Sequence, residues 1–414
     1  MNPLSFCHLT TFYPPHNFGG DGIGVQRLCR GLAKRGHEIT VVHETDAYSA
    51  LSPRAPAEPE PEPDGIEVVR LASKRPKLSL LLTQQLGRPV VNRARLERLF
   101  AERDFDVINY HNVSLVGGPG LFALGDAAKL YMAHEHWLVC PSHVLWRHGR
   151  ELCTGRECLR CVLNHRRPPQ LWRSTGAIAR LGKHVDTFIA MSEFSKAKHA
   201  EFGFPFDMTV LPYFLPDPQP GERAPERADG DSPHPRPYFL FVGRLELIKG
   251  LDDVIPLFER FEGADLVICG TGEHEDALKR LAQGNPRVHF KGRVSQEDLE
   301  RHYAHARALI VPSVCYETFG IILIESFRAG TPVVARRLGP FPEIVEHAGA
   351  GALFSNDEEL EAALRGLLER PEERDAMARR GWEAYRDTWS ESAVLPRYEE
   401  LAREALERKR MRSR

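Results

Sequence analysis

Short apolar runs alternate with amphipathic segments along the first half of the chain. Residues 4–12 have the composition of a strand, residues 23–35 have the apolar spacing of a helix, and residues 38–42 form a second apolar run. Later runs predict four further strands, at residues 107–110, 129–132, 187–191 and 209–211. Strand–helix–strand order of this kind predicts a parallel sheet with helices on both faces.

The same pattern begins again after a stretch rich in proline and charge. Residues 213–237 form this stretch and are predicted to be a linker. Beyond it, strands are predicted at residues 238–242, 265–269, 288–290, 308–311 and 333–335, with helices between them. The predicted organisation is an α/β protein of two Rossmann-like domains, residues 1–212 and 238–390, followed by a C-terminal helix in residues 391–414. Two α/β halves of similar size predict a cleft between them, where ligands of such proteins bind.

Composition narrows the classes of function. The 414 residues are 42% hydrophobic and 27% charged, as in a globular protein, and the formal net charge is −2. A chain with this balance has no electrostatic reason to bind nucleic acid. Its apolar runs stay well below the ~20 residues that span a bilayer, and the first residues lack the pattern of a secretory signal. We therefore expect a cytoplasmic protein with reduced cysteines, and the sequence leaves peripheral association with a membrane surface open.

Two basic residues flank a turn at the start of the second half. The segment 243–250, GRLELIKG, follows a predicted strand and opens a helix, so Arg244 and Lys249 could both reach one pyrophosphate. Arginine supplies a planar fork of donors and lysine a mobile point charge. An isolated Arg–Lys pair is usually two solvated surface cations. The strand–turn–helix setting and the flanking glycines favour phosphate binding here.

Glu317 and Glu325 stand eight residues apart around a predicted helix start. The apolar run at residues 321–324 indicates a buried segment, and a buried carboxylate needs polar partners. An ionised carboxylate can accept two hydrogen bonds from a vicinal diol of a sugar. The pair could instead be the acid and the nucleophile of a glycosidase. We disfavour that alternative because hydrolases lack the adjacent Arg–Lys feature for phosphate.

Taken in order, these clusters resemble the family 4 glycosyltransferases, which have the two-domain GT-B architecture. The resemblance rests on residues 243–250, on Cys269-Gly270-Thr271-Gly272 and on residues 312–334, and it covers nearly the whole chain. It implies two Rossmann-like domains facing each other across a cleft. It also implies retaining transfer of a sugar from a nucleotide-diphosphate sugar to an acceptor hydroxyl, in the biosynthesis of a glycan, glycolipid or glycoconjugate.

The resemblance also implies roles for individual residues. Glu317 would bind the hydroxyls of the transferred sugar, and Glu325 those of the ribose. Arg244 and Lys249 would stabilise the departing diphosphate. Because a donor phosphate oxygen can take the acceptor's proton, catalysis is expected to need no base residue and no cofactor. The remaining contacts to the donor are implied for Gly19, Gly20, Gly270, Gly272, Phe319 and Gly320.

The first half contributes less specific signals. The loop at residues 19–24, GGDGIG, resembles the family's glycine loop, although a tight turn between strand and helix explains it equally well. The spacing of its glycines is not that of the regular dinucleotide fingerprint. Glu44, however, stands near the position of a ribose-binding acid, so a nicotinamide-dependent enzyme is a remote alternative. His134 follows a strand and resembles the family histidine near the donor sugar, with His136 and His111 as weaker choices.

Four of the eight cysteines gather within 22 residues. Cys140, Cys153, Cys158 and Cys161 have the spacing C-x12-C-x4-C-x2-C, in an insertion at about residues 140–165 that departs from the minimal family pattern. Four thiolates suit a closed tetrahedral zinc site, and part of the spacing also matches iron–sulfur ligands. Unligated thiols are the plain alternative. The sequence predicts a structural metal, zinc before an iron–sulfur cluster, that shapes the acceptor side of the cleft without doing chemistry.

The sequence is compatible with two other functions. One is a nucleotide-sugar epimerase on the same fold. The other is a metal-binding sensing or scaffold protein, built around the cysteines on an inactive enzyme. The sequence names neither the sugar nor the base, and the acceptor could be a carbohydrate, a lipid-linked glycan or a small molecule.

Overall fold

The computed structural model describes residues 2–52, 55–222, 224 and 231–412. The chain forms two compact units. Unit 1 combines Met1–Tyr213 with Val394–Arg414, and unit 2 is Phe214–Ala393. Each unit contains its own parallel sheet and its own hydrophobic core. The predicted α/β fold class with two parallel-sheet domains is confirmed.

The strands of unit 1 are mostly short and buried. They are β1 (Ser5–Thr10), β2 (Glu38–Glu44), β3 (Ile66–Leu71), β4 (Val107–Tyr110), β5 (Ala128–Ala133), β6 (Trp146–Arg147), β7 (Glu151–Leu152), β8 (Thr187–Ala190) and β9 (Met208–Val210). Seven of them form a parallel sheet in the order β3-β2-β1-β4-β5-β8-β9, and β6 pairs antiparallel with β7. The central strands are buried along nearly their whole length because helices cover both faces of the sheet.

Seven α-helices of unit 1 connect these strands. They are α1 (Gly20–Lys34), α2 (Thr45–Leu51), α3 (Pro76–Leu86), α4 (Arg93–Glu102), α5 (Cys158–Asn164), α6 (Ala177–Leu181) and α7 (Glu193–Glu201). Local sequence explains their ends. The Ser192 hydroxyl accepts the Ser195 N–H and so caps the start of α7, whereas Gly19 precedes α1 without a side-chain cap.

Unit 2 contains a six-stranded parallel sheet. Its strands are β10 (Tyr238–Val242), β11 (Asp265–Cys269), β12 (Val288–Gly292), β13 (Leu309–Val311), β14 (Val333–Arg336) and β15 (Gly351–Phe354), in the order β12-β11-β10-β13-β14-β15. The helices are α8 (Leu251–Val254), α9 (Glu275–Leu281), α10 (Gln296–His305), α11 (Ile321–Arg328), α12 (Phe341–Ala348), α13 (Asp357–Glu369) and α14 (Pro371–Ala384).

The last helix, α15 (Glu391–Arg412), packs mostly within unit 1. The buried Tyr398 hydroxyl accepts a hydrogen bond from Asn109 Nδ2 over 2.9 Å. Glu399 lies 2.6 Å from Arg35 Nε and 3.1 Å from His37 Nε2. Burial acts to raise the pKa of Glu399, but these two partners outweigh it, so the net pKa is lowered. None of the described helices has both the length and the apolar character needed to cross a bilayer.

Candidate functional site

Three loops of unit 2 lie side by side at the carboxyl ends of neighbouring strands. In the sheet, β10 lies between β11 and β13, so the loops that follow these three strands emerge next to one another at the carboxyl-terminal end of the sheet. Backbone hydrogen bonds join them: Leu245 N–H donates to Thr271 O over 3.0 Å, and Val314 N–H donates to Ile248 O over 2.9 Å. Strand β10 is also where the winding of the sheet reverses, the place where such sheets bind ligands.

Glycines allow two of these loops to touch backbone to backbone. A Cβ atom on Gly270, whose φ is 149°, would lie 1.8 Å from Gly243 O. A Cβ atom on Gly272 would lie 2.2 Å from Leu245 O. Loop packing therefore already requires glycine at both positions. The predicted contact of Gly270 and Gly272 with a ligand stays a prediction.

Lys249 and Glu317 form an ion pair where the loops meet. Lys249 Nζ lies 2.6 Å from Glu317 Oε1, and Ser313 Oγ donates to the same oxygen over 3.3 Å. The side chains of Lys249 and Glu317 are 21% and 26% exposed, so a ligand can reach them. Burial acts to lower the pKa of Lys249 and to raise that of Glu317, but the opposite charge of each partner outweighs it. The net pKa of Lys249 is raised and that of Glu317 is lowered, so both are charged at neutral pH.

Arg244 lies on the loop that also carries Lys249. Its side chain is 59% exposed, and its Nη1 lies 2.6 Å from Glu246 Oε1. The guanidinium is close enough to Lys249 to oppose the rise in the pKa of that amine. Exposed ion pairs such as Arg244–Glu246 contribute little stability, so the guanidinium can exchange its partner for a ligand at little cost. The structure therefore places two cations on one loop, as the sequence predicts.

Helix α11 begins directly after the segment that carries Glu317. Its N-cap residue, Gly320, has a φ of 106°, and a Cβ atom there would lie 2.8 Å from the Phe341 ring. Phe319, just before it, is buried. A glycine N-cap offers no side chain to the first amides of the helix, an arrangement also found where helix amides bind an anion.

Glu325 lies just past the first turn of α11, because the left-handed Gly320 places the start of the helix at Ile321. The Tyr303 hydroxyl donates to Glu325 Oε2 over 3.4 Å. Burial, followed by the charge of Glu325, raises the pKa of Tyr303, so this hydroxyl stays a donor. The two glutamates therefore belong to one loop–helix segment beside the lysine.

In unit 1, three histidines and a tyrosine form a hydrogen-bonded chain that is buried at His8 and His111 and half-buried at His134 and Tyr213. His8 Nδ1 lies 3.0 Å from His111 Nε2, and His111 Nδ1 lies 2.8 Å from His134 Nε2. His134 Nδ1 also contacts the Tyr213 hydroxyl. Burial lowers the pKa of both His8 and His134 to about 3. We call these four residues, His8, His111, His134 and Tyr213, the histidine relay.

The relay couples its proton positions. A neutral imidazole donates from one nitrogen and accepts at the other, so the tautomer of any one ring fixes those of its neighbours. His134 and the weaker choice His111 belong to this chain. His136 instead is buried with its ring centroid 5.2 Å from that of His199. His8 and Tyr213 were not predicted, because residues so far apart in sequence give no spacing signal.

The glycine loop of unit 1 contains glycines of two kinds. Gly24 faces the relay, because a Cβ atom there would lie 2.7 Å from Tyr213 Cε1. Gly19 is the N-cap residue of α1 with extended backbone, and Gly20 is the first residue of that helix. Apart from its chain neighbours, no described atom lies within 4 Å of a Cβ atom built on Gly19. Packing explains glycine at 24 and leaves it unexplained at 19.

Two family models match successive parts of the chain. The model described as Glycosyltransferase Family 4 matches residues 18–216, which include the glycine loop and most of the relay. The model described as Glycosyl transferases group 1 matches residues 222–383, which include all three loops of unit 2. The chain belongs to the family 4-type glycosyltransferases of the GT-B superfamily. The resemblance predicted from the sequence is confirmed.

Relatives of this glycosyltransferase span nearly its whole length. It is 25% identical over 394 residues to the GDP-mannose-dependent alpha-(1-6)-phosphatidylinositol monomannoside mannosyltransferase of Mycobacterium tuberculosis, which covers 87% of this chain and 89% of that one. It resembles the solved structure of sucrose-phosphate synthase from Thermosynechococcus elongatus, with a TM-score of 0.73, 18% identity and coverage of 97% and 98%. It also resembles Anabaena Alr3699/HepE in complex with UDP-glucose, with a TM-score of 0.66, 16% identity and coverage of 96% and 98%. These structural likenesses show the fold and confirm the GT-B assignment.

The four clustered cysteines of the glycosyltransferase lie in one small substructure of unit 1. Cys140 precedes the β6–β7 hairpin, Cys153 follows it, and Cys158 and Cys161 lie in the first turn of α5. All four are free thiols. Burial raises the pKa of Cys153 and Cys158, and the neighbouring thiols of the cluster raise it further. The structure thus makes the four residues neighbours, while metal binding stays a prediction.

One group of potential ligands in unit 2 was not predicted. Among the residues that the structure describes, His234, Asp265 and His289 alone bring three ligand atoms within 4.8 Å of one another. The two Nε2 atoms lie 2.7 and 3.1 Å from the same Asp265 oxygen. Two imidazole N–H groups donating to one buried carboxylate explain this arrangement without a metal. The group includes the first residue of β11, so it lies at the opposite end of that strand from Gly270.

Glu44 has a structural role in place of the predicted contact with a ribose. It is buried at the end of β2, where it accepts hydrogen bonds from Asn92 Nδ2 over 3.0 Å and from the Asp46 N–H over 3.3 Å. The Asp46 contact caps the start of α2. Burial, with the nearby Asp46, raises the pKa of Glu44 to about 8. Because Glu44 is buried and both of its oxygens are already hydrogen-bonded, it is not placed to bind a ribose and gives no support to a nicotinamide cofactor.

Proposed function

We propose that this glycosyltransferase binds a nucleoside diphosphate sugar in unit 2 and transfers the sugar, with retention of configuration, to an acceptor hydroxyl. The Lys249–Glu317 pair carries the proposal, because it puts a cation suited to phosphate 2.6 Å from a carboxylate suited to sugar hydroxyls. Two relatives support a donor of this class. The mycobacterial relative is GDP-mannose-dependent, and the Anabaena structure is a complex with UDP-glucose.

The diphosphate would be bound by groups from one loop and one helix. Arg244 and Lys249 contribute positive charge from the loop after β10, and the first amides of α11 contribute backbone donors. Binding would draw Arg244 away from its exposed partner Glu246. Because these groups need no metal to neutralise the phosphates, the reaction is proposed to require no cofactor.

The two glutamates would bind the two sugars of the donor. Glu317 is ionised and already accepts hydrogen bonds from Lys249 and Ser313, so it can accept equally from the hydroxyls of the transferred sugar. Glu325 would accept from the ribose hydroxyls with support from the Tyr303 hydroxyl. Phe319 and Gly320, which lie between the two glutamates in sequence, would hold this segment in place, with the Phe319 side chain buried.

The proposed chemistry takes place on one face of the sugar. The bond from the anomeric carbon to the diphosphate oxygen breaks, and the acceptor oxygen bonds to the same face. The acceptor proton passes to a phosphate oxygen of the leaving group. Arg244 and Lys249 stabilise the negative charge that develops on the diphosphate. Lys249 and Arg244 therefore act on the leaving group, and Glu317 on the migrating sugar.

His134 is proposed to orient a substrate and not to accept its proton. Burial lowers the pKa of His134 to about 3, and such a weak base gains little by accepting a proton at neutral pH. Its hydrogen bond to His111, 2.8 Å long, instead fixes the plane and the tautomer of the ring. Because both ring nitrogens are already hydrogen-bonded, to His111 and Tyr213, a ring held in this way would present its C–H edge to a sugar in one orientation.

Hydrolysis of nucleotide sugars tests the proposal without knowledge of the acceptor. We expect the wild-type protein to release nucleoside diphosphate from at least one of a panel of UDP-, GDP- and ADP-sugars. NMR should show the first-formed free sugar with the anomeric configuration of the donor. Glu317→Gln should lower kcat/KM by about 100-fold, the usual effect of losing a transition-state contact, while the exposed control Glu346→Gln changes little.

Two other outcomes would contradict the proposal. A first-formed sugar of opposite anomeric configuration would exclude retention. A sugar that is epimerised while still attached to the nucleotide would identify an epimerase instead.

A further inference from the structure

The four-cysteine insertion has little hydrophobic core of its own. Leu145, Trp146 and Val162 are buried, but Leu159 and Leu163 on α5 are 64% and 57% exposed. Segments with so few buried apolar side chains usually need a covalent or metal crosslink to hold one conformation. The structure shows no disulfide among the cysteines, which are all free thiols.

The backbone of the insertion folds tightly around the cysteines. His143, Leu145 and His148 all have positive φ, at 77°, 48° and 56°. Non-glycine residues adopt this region at a cost and do so where the surroundings require it. Cys153 N–H donates to Leu145 O over 2.8 Å, which ties the end of the hairpin to its start.

The order of elements matches that of a zinc finger. A hairpin, β6–β7, is followed by a short helix, α5, and the cysteines flank the hairpin and occupy the first turn of the helix. Zinc fingers are likewise small units of a hairpin and a helix that bind one zinc ion with ligands from both parts. Cys158 and Cys161, three residues apart in α5, lie on one face of that helix.

The polar surroundings suit thiolates. The backbone N–H of His148 donates to Cys161 Sγ over 3.3 Å, the kind of contact that supports a metal-bound sulfur from outside the coordination sphere. The Arg173 guanidinium lies close enough to Cys140 and Cys158 to interact with charge on them. A zinc ion with four thiolates carries a net charge of about −2, so a nearby guanidinium complements it.

The sulfurs are neighbours but are not yet at ligand spacing. Among the described residues, no three of them lie within 4.8 Å of one another. Zn–S bonds of about 2.3 Å place tetrahedral sulfurs about 3.8 Å apart. In this structure Cys140 and Cys153 instead hydrogen-bond locally, to Ser142 Oγ and to Gly155 O, both over 3.2 Å. Metal binding would replace these contacts and tighten the loops.

We propose that Cys140, Cys153, Cys158 and Cys161 bind one zinc ion, which acts as a structural crosslink for the insertion. Four S–H protons pass to solvent, the hydrated ion gives up its waters, and four Zn–S bonds form without any change of oxidation state. Each sulfur contributes one ligand, so the site is closed and has no position for a substrate. The proposal does not depend on the glycosyl donor or on the proposed transfer.

Metal analysis of the purified full-length protein tests this proposal. We expect about one zinc per chain, the number that one four-ligand site binds. Cobalt(II) in place of zinc should give the visible absorption bands of tetrahedral thiolate coordination. A chelator should lower the thermal unfolding temperature of the wild-type protein by several degrees.

A variant at the exposed cysteine separates metal binding from misfolding. Cys158→Ser changes an exposed side chain and should reduce bound zinc to a small fraction, with an unfolding temperature that no longer responds to chelator. The matched control, Cys29→Ala, changes a buried cysteine of α1 and should keep the zinc. Wild-type protein without zinc, zinc that Cys158→Ser retains, or iron with acid-labile sulfide in its place would each overturn the proposal.

Discussion

Lys249 and Glu317 each favour the charged form of the other in a place where burial opposes both charges. Burial acts to lower the pKa of Lys249 and to raise that of Glu317, and the pair reverses both effects. A donor that supplies its own phosphates and hydroxyls can take over these roles without leaving either charge unpaired. We therefore propose that the pair is a preformed site, in which the donor replaces each residue as the partner of the other.

Glu44 gives a prediction at the same scale, because its pKa of about 8 differs strongly from that of an exposed glutamate. Between pH 4.5 and 8 the unfolded carboxyl is ionised while the folded one is protonated. The folded state then binds more protons, so its stability falls as pH rises through this window. We expect Glu44→Gln to remove this dependence. The difference in unfolding free energy, variant minus wild type, should then increase by about 1.4 kcal/mol for each pH unit through this window.

Urea unfolding at pH 5, 6, 7 and 8 measures this difference. Glu38→Gln, at the exposed start of the same strand, is the control, and its difference from wild type should stay constant with pH. A constant offset for Glu44→Gln would contradict the raised pKa. A constant effect of the substitution on stability does not affect this test, because the test depends only on how the difference in unfolding free energy changes with pH.

Pairs of candidate site residues could be predicted from the sequence where both members lie in one short segment. Arg244 and Lys249 share a loop, and Glu317 and Glu325 share a loop–helix segment, so spacing alone brought each pair together. The pairing of Lys249 with Glu317 was not predicted, because the fold joins residues of separate loops. His8 and Tyr213 were missed for the same reason.

At the scale of elements, helix α1 shows how the glycines of one loop divide into two roles. The Tyr213 ring packs against Gly24 and leaves no space for a side chain there. Gly19 has extended backbone, which any residue adopts, and open space beside it. We infer that Gly19 is kept small for a ligand, since the protein itself does not require it.

Two alanine variants separate these roles. Gly24→Ala should lower the free energy of unfolding by about 1–3 kcal/mol, because its Cβ atom would lie 2.7 Å from the Tyr213 ring. Gly19→Ala should change stability by less than about 1 kcal/mol but lower kcat/KM at least about tenfold if a ligand approaches there. Chemical denaturation and donor hydrolysis measure the two effects. Full activity in Gly19→Ala would contradict the ligand role.

Most strands of the two parallel sheets could be predicted from the sequence, and the two that were missed, β3 and β15, lie at sheet edges. Polar residues interrupt the apolar run of β3, and β15 is only four residues long and begins with glycine, so neither gives the strong apolar signal of an interior strand. The helix predicted to follow residues 243–250 is α8, which continues into a 3-10 turn at Ile255–Glu259 because Pro256 cannot donate the next helical hydrogen bond.

At the scale of the whole molecule, each unit contributes a different chemistry. Unit 2 contains the ionised lysine–glutamate pair and an exposed arginine, on loops at the carboxyl ends of its strands. Unit 1 contains neutral histidines in a partly buried hydrogen-bonded chain. The periodic pattern predicted two α/β halves because each unit repeats the same order of strand, loop and helix. On these charges we propose that the diphosphate binds in unit 2.

Titration of a nucleoside diphosphate against the protein tests this central claim most directly. With the tightest binder among UDP, GDP and ADP, we expect calorimetry to show at least about tenfold weaker binding for Lys249→Met, the cost of one charge-assisted hydrogen bond. Lys291→Met, at an exposed lysine of unit 2, should bind like wild type. Glu317→Gln should bind at least as tightly, because the free diphosphate lacks the sugar and Lys249 loses its competing partner. Unchanged affinity in Lys249→Met would contradict the account.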